Sequence, residues 1–197
     1  MRSPPASASQ IMLIRHGEKP PDDPPPHGVS AHGDRDGGSL TVRGWQRAGA
    51  LVLLFTRGVA NALHGLSVPS HLYCISPRHH SRRTRQTLTP LARKLGLAIN
   101  DDFSAGEEEG LARHARGRSG AVLICWRHHH LHTLAQHIAG DHTTVPRSWG
   151  DDRYDVVWVL DLDAVTGEYA FRPVAQELLD GDMPARGTRT PAHPRLG

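Results

Sequence analysis

Apolar residues fall into two kinds of segment: short continuous runs, and longer stretches in which they recur every three or four positions. The continuous runs suit strands buried on both faces, and the periodic stretches suit amphipathic helices. Residues 11–14, reading Ile-Met-Leu-Ile, predict a central strand. Thr41 offers an N-cap to a helix carrying Val42, Trp45, Ala48, Leu51, Val52 and Phe55 on one face. Residues 71–75 predict a strand that Ser76-Pro77 breaks. A second helix starts at Arg82, presents Thr84, Leu88, Leu91, Ala92 and Leu95, and stops at Gly96. A short strand over 97–99 follows. Ser104-Ala105-Gly106-Glu107 has capping-box spacing at the head of a third helix. Residues 121–126 predict another buried strand and 131–139 a helix. Strands over 155–162 and 169–174 close the pattern, with Thr166-Gly167 in the turn between them.

Strands that alternate with helices predict a three-layer α/β/α sandwich around a mostly parallel sheet. Residues 1–10, polar and proline-bearing, read as a flexible arm. Residues 11–182 read as one domain, and the basic, Pro/Gly-rich 183–197 as a disordered tail. Dense Pro, Gly, Asp and His make 20–38 a loop, long enough to be a functional flap. The segment Gln176 to Asp182 suggests no chemistry.

Composition adds little to this outline. The formal charge of +3 suits an anionic substrate and is too small to argue for nucleic acid. Cys74 and Cys125 each sit inside a predicted strand, as free buried thiols would. The first apolar run is too short for a secretion signal or a membrane span, so a cytoplasmic protein without a membrane partner is expected. Nothing bears on oligomeric state.

The chemistry lies at strand ends. In an open α/β sheet ligands bind beyond the C-terminal ends of the strands. Three clusters fall there: Arg15-His16, the stretch from Ser76 to Arg83, and Arg127-His128-His129-His130. Guanidinium groups can fork around phosphoryl oxygens, and a neutral imidazole nitrogen can attack phosphorus. The same edge therefore suits a small phosphorylated substrate.

These residues resemble the histidine phosphatase superfamily, also called phosphoglycerate-mutase-like. Arg15-His16-Gly17-Glu18 after a strand is similar to the family's RHGE signature. Leu40-Thr41 with Gly44 matches its next landmark. Ser76-Pro77 followed by Arg83-Thr84-Arg85-Gln86-Thr87 resembles the segment bearing its second phosphate arginine. Residues 122–126 followed by His128 resemble the strand that carries its second histidine. The resemblance implies the phosphoglycerate-mutase-like fold, His16 as nucleophile, Arg15 and Arg83 as phosphate ligands, and His128 as the second catalytic histidine. It also implies Gly17 and Glu18 as part of the substrate site. Five residues, Arg78 to Arg82, lengthen the second segment, so Arg82 is the alternative to Arg83. His129 and His130 are the alternatives to His128.

For the proton donor, the resemblance favours Glu107 at the head of the third helix. Glu107 could instead merely close the capping box, and Glu108 and His129 are the other candidates. Trp126 and Trp158 read as core, and His27, His32, His79 and His80 as exposed loop residues. The His128–His130 run with His132 invites a metal. Neighbouring histidines on a helix diverge, however, and no HExxH or paired CxxC accompanies them, so neither metal nor cofactor is expected. The expected activity is metal-independent hydrolysis of a phosphomonoester through a phosphohistidine. A phosphomutase, or a catalytically idle module that binds phosphorylated ligands, is the alternative.

Overall fold

The computed structural model describes residues 7–56, 64–76 and 82–184. Six strands form one sheet: β1 (Ala8–Arg15), β2 (His71–Cys74), β3 (Ile99–Asn100), β4 (Gly120–Trp126), β5 (Val156–Leu162) and β6 (Tyr169–Ala175). Among the described residues four helices flank it: α1 (Val42–Thr56), α2 (Arg83–Leu95), α3 (Glu108–Arg116) and α4 (His128–Ala139). The strand order is β3-β2-β4-β1-β5-β6. β3, β2, β4 and β1 are parallel neighbours, whereas β5 runs antiparallel to β1 and β6 antiparallel to β5. The predicted three-layer α/β/α sandwich with a mostly parallel sheet is the fold that forms.

Side-chain alternation along β1 divides the core. Ile11 and Leu13 join the side covered by α3 and α4, with Leu111, Ala115, Leu131, Leu134 and Ile138. Met12 and Ile14 join the opposite side, with Leu51, Leu54 and Phe55 of α1 and Leu88 and Leu91 of α2. A central strand that feeds two cores must be apolar at successive positions, hence the unbroken run. Cys74 and Cys125 lie opposite each other in the β2–β4 register, both free and buried. Burial pushes the Cys74 thiol up to about 11, so the pair packs as small hydrophobes, as expected.

Several boundaries differ from the pattern. β1 begins at Ala8, inside the predicted arm. Ala8 is buried, and the Gln10 side chain donates to Gly65 O and Asp161 Oδ1 at 2.9 and 2.6 Å and accepts from Ser67 N at 2.7 Å. A polar residue so well partnered is strand material that hydropathy misses. β3 begins two residues later and ends one later than predicted, and α4 begins three residues before its apolar stripe, at His128. The start of the predicted tail is anchored: Met183 N donates to Asp155 Oδ2 at 2.7 Å. Residues 1–6 of the predicted arm, residues 185–197 of the tail, and His79 and His80 lie outside the described residues. No described helix is long and apolar enough to cross a membrane.

Candidate active site

The β1–β4 register sets the frame. Arg15 is paired with Trp126 across the two parallel strands, so His16 and Arg127-His128 leave the sheet side by side. α4 starts at His128 itself, with Arg127 extended before it.

His16 is only 6% exposed. Its Nδ1 lies 2.7 Å from Gly17 O, an acceptor, so Nδ1 carries the proton and donates. The Nε2 lone pair is then left for chemistry. Burial pushes the imidazole down to about 3, and the nearby charges of Arg15, Arg83 and His128 push the same way. The ring is neutral throughout the physiological range.

Arg15 is buried on the adjacent position. Its Nη1 donates to the carbonyls of Gly150 and Arg153 at 3.4 Å and to that of Asp151. Its guanidinium lies 4.0 Å from the Tyr154 ring centroid. Its Nε is buried without a partner among the described residues. An orphaned donor on a buried cation is costly unless a ligand takes it. Tyr154 also lies near His16, with ring centroids 6.1 Å apart.

The Arg83 to Thr87 segment is folded into the site frame at every turn. Arg83 is partly buried, with Nη2 donating to Gly37 O at 2.7 Å and Nε to Ser39 O at 3.3 Å. Gln86 accepts from Leu40 N and donates to Ser39 Oγ. Thr87 Oγ1 accepts from Gly17 N at 2.8 Å. Arg82, by contrast, has a side chain 68% exposed that among the described residues pairs with Asp36, at 3.7 Å. Of the two arginines, Arg83 is the one whose charge acts on His16. The 20–38 loop is thus moored to α2 through Gly37 and through Ser39 just beyond it.

His128 Nε2 lies 3.0 Å from Asp151 Oδ1. Burial, Arg15 and His129 together hold its pKa at about 4 despite that carboxylate. The contact is therefore a hydrogen bond from a neutral ring. Its neighbour His129 is exposed, and the two rings lie 3.7 Å apart between centroids. Adjacent histidines do converge here, in the opening turn of α4, contrary to the expectation that they diverge. His130 points elsewhere, to Glu108 Oε1 at 3.1 Å.

Three predicted residues are placed differently. Glu18 does not face the His16 centre: Arg47 holds its carboxylate at 2.9–3.2 Å and Arg43 at 3.3 Å. Gly17 has its amide on Thr87 and its carbonyl on His16, leaving a framing role. A Cβ there would sit 2.8 Å from Gly44 O, so the glycine permits close approach of α1. Glu107 is exposed and accepts from Ser104 N at 2.6 Å. That is half of the predicted capping box, and it commits the carboxylate to the turn before α3. Its neighbour Glu108 is the buried one, accepting from Trp126 Nε1 at 3.0 Å, His130 Nδ1 at 3.1 Å and Gly106 N at 3.0 Å. A carboxylate so fully engaged fastens α3 to the end of β4.

Tyr154 and Asp151 were invisible to sequence reasoning, because each stands in a polar loop without pattern. The signal in hindsight is the segment 146–154, a second loop ending at the same sheet edge.

In sequence, no family model and no curated protein matches the chain. Among solved structures, it is similar to the protein histidine phosphatase SixA complexed with tungstate, with a TM-score of 0.49 and 16% identity over 85% of this chain and 97% of that one. It is also similar to a mycobacterial glucosyl-3-phosphoglycerate phosphatase, with a TM-score of 0.48 and 10% identity over 85% of this chain and 97% of that one. The same mycobacterial enzyme complexed with VO3 gives a TM-score of 0.47 and 12% identity over 84% and 97%.

Proposed function

We propose that this chain is a histidine phosphatase that hydrolyses a phosphomonoester through a phosphohistidine on His16. The observation that carries the reading is the His16 ring: buried, neutral, with Nδ1 tied to Gly17 O at 2.7 Å and Nε2 free beside two arginines. Nε2 attacks phosphorus as the bond to the leaving oxygen breaks, and the leaving oxygen takes a proton from solvent. Water then attacks the phosphohistidine, releasing inorganic phosphate and restoring the ring. Arg15 and Arg83 neutralise the equatorial oxygens, and the orphaned Arg15 Nε is a donor waiting for one of them. His128, oriented by Asp151, supplies a further donor. An arriving phosphate dianion favours the charged form of that ring. Guanidinium and imidazole donors meet the charge of the transition state, so the chemistry calls for no metal. With Glu107 committed to its turn, this reading does not use it as proton donor.

The test is rapid acid quench with labelled substrate, drawn from a panel of phosphorylated metabolites, with chelator present. Wild type should yield an acid-labile phosphoenzyme mapping to His16, and His16→Ala should abolish turnover with the fold intact. Label on another residue, or near-normal turnover in the variant, overturns the proposal. Transfer of the label to a second hydroxyl compound faster than to water would make the protein a phosphomutase instead.

A further inference from the structure

We propose that His128, His129 and Asp151 form a binding site for a zinc-type transition-metal dication, and that occupation of this site switches the phosphatase off. The inference rests on the phosphatase reading for its second half only. The three side chains offer one ligand atom each, all within 4.8 Å of one another. Zinc takes nitrogen and oxygen ligands at about 2.0–2.2 Å in a tetrahedral array, which places ligand atoms on the order of 3.3–3.5 Å apart. The His128–Asp151 contact of 3.0 Å lies just inside that spacing, and the other separations, 4.8 Å at most, must close by up to about 1.5 Å to admit an ion.

Both positions are built rather than accidental. His128 and His129 open α4 directly after an extended Arg127, and their rings lie 3.7 Å apart at a tilt of 41°. Asp151 is held from the other side, because its own carbonyl and those of Gly150 and Arg153 are gathered onto Arg15 Nη1. The Asp151 side chain is 86% exposed and His129 is exposed, which gives an ion a way in and leaves a coordination position for water. Two imidazoles and one carboxylate select zinc, cobalt or nickel over magnesium or calcium, which want oxygen ligands. Arg15, whose charge acts on His128, opposes a cation here, while the Asp151 carboxylate favours it.

The consequence follows from the shared ligand. A metal on His128 Nε2, the nitrogen facing Asp151, takes the place of the proton there, so the ring cannot become the doubly protonated donor that an arriving phosphate calls for. His129 has no part in the proposed phosphoryl chemistry, so it separates the two functions.

The experiment uses untagged full-length protein, titrated with Co2+ by visible absorption and with Zn2+ by calorimetry. p-Nitrophenyl phosphate turnover is measured in parallel, with and without chelator. Wild type is expected to bind one equivalent with the intense d–d bands of a low-coordinate site. His129→Ala and Asp151→Asn should each weaken binding at least tenfold. In chelator, His129→Ala should keep wild-type turnover within about twofold, and zinc that inhibits wild type should leave this variant active. Unchanged binding in both variants would place the ion elsewhere and overturn the site. Binding at these residues without inhibition, or with activation, would overturn the switch. Binding lost in the variants of a protein with no phosphatase activity would sink the phosphatase reading and leave the metal site standing.

Discussion

His16 is decided by its burial, which outweighs the hydrogen bond to Gly17 O and is aided by the charges around it. Its folded pKa, about 3, lies well below the ordinary histidine value of about 6.5. The fold therefore favours the neutral ring. That contribution to stability is complete above the unfolded value and is lost as pH falls through the folded one. The expected result in an NMR titration is a His16 ring silent between pH 5 and 8, with Nδ1 protonated. A midpoint near 6.5 would show that the burial does not hold in solution. Arg83 and Arg82 make the second residue-scale contrast. Arg83→Ala should cost on the order of 100-fold or more in kcat/KM, the usual loss for a guanidinium contact to a developing charge in a water-poor site. Arg82→Ala, removing an exposed ion pair at 3.7 Å, should cost less than about threefold. Equal effects would mean that the register through this segment is off by one.

At the scale of elements, the informative contact is between α1 and the turn after β1. Both backbones come close at Gly17 and Gly44. A Cβ on Gly44 would meet Glu18 O at 2.5 Å and Glu18 N at 2.9 Å, and backbone cannot swing aside as a side chain can. Gly44→Ala should destabilise the protein by about 1–3 kcal/mol, as overpacking does. It should also lower kcat while His16→Ala protein, measured for comparison, shows no such stability loss. Wild-type melting with Gly44→Ala would mean that the helix can shift freely. The same helix shows how periodicity misleads. Its buried face is Gly44, Arg47, Ala48, Leu51, Leu54 and Phe55, whereas Val42, placed on that face by its hydropathy, is 61% exposed. The face turned because Arg47, the least apolar of these residues, is buried by its partners.

Those partners tie the whole molecule together. The Arg47 side chain is 3% exposed and binds Glu18 after β1, Gln176 after β6 and Asp182 near the end of the described chain, at 2.7–3.2 Å. Asp182 in turn accepts from Leu178 N and Leu179 N at 2.9 and 3.1 Å. The segment from Gln176 to Asp182, opaque in sequence, is a clasp that closes the C-terminal end of the domain onto the turn holding His16. Removing one member of a buried ion cluster costs about 3–5 kcal/mol, because the others are left uncompensated. Arg47→Met should therefore lower Tm by on the order of 10 °C, and a drop under about 2 °C would show that the cluster is ornamental. Burial alone would raise the Asp182 pKa, yet the Arg47 hydrogen bond and two amides bring it below the usual value. A depressed carboxylate stabilises fully above its unfolded pKa of about 3.9 and loses that contribution as pH falls through the folded value. Asp182→Asn should accordingly flatten the acid limb of the stability curve and leave its neutral limb parallel to wild type.

The sequence by itself determined the layers and the edge. Unbroken apolar runs can only be strands covered twice, helical spacing between them can only cover those strands, and Arg15, His16, Arg83 and His128 stand where the runs end. Capping glycine Gly96, in the left-handed region at φ 68°, was legible for the same local reason. What only the tertiary structure decided is everything that depends on partners distant in the chain. Gln10 is strand because Gly65, Ser67 and Asp161 satisfy it. Glu108, and not Glu107, is buried because Trp126 and His130 meet it. Glu18 is claimed by Arg47, and Asp151 and Tyr154 reach His128 and Arg15 from a loop more than a hundred residues after β1. Hydropathy records the cost of burying a group alone. A polar residue whose partners arrive from elsewhere escapes that cost, and its place is set only when the fold brings them together.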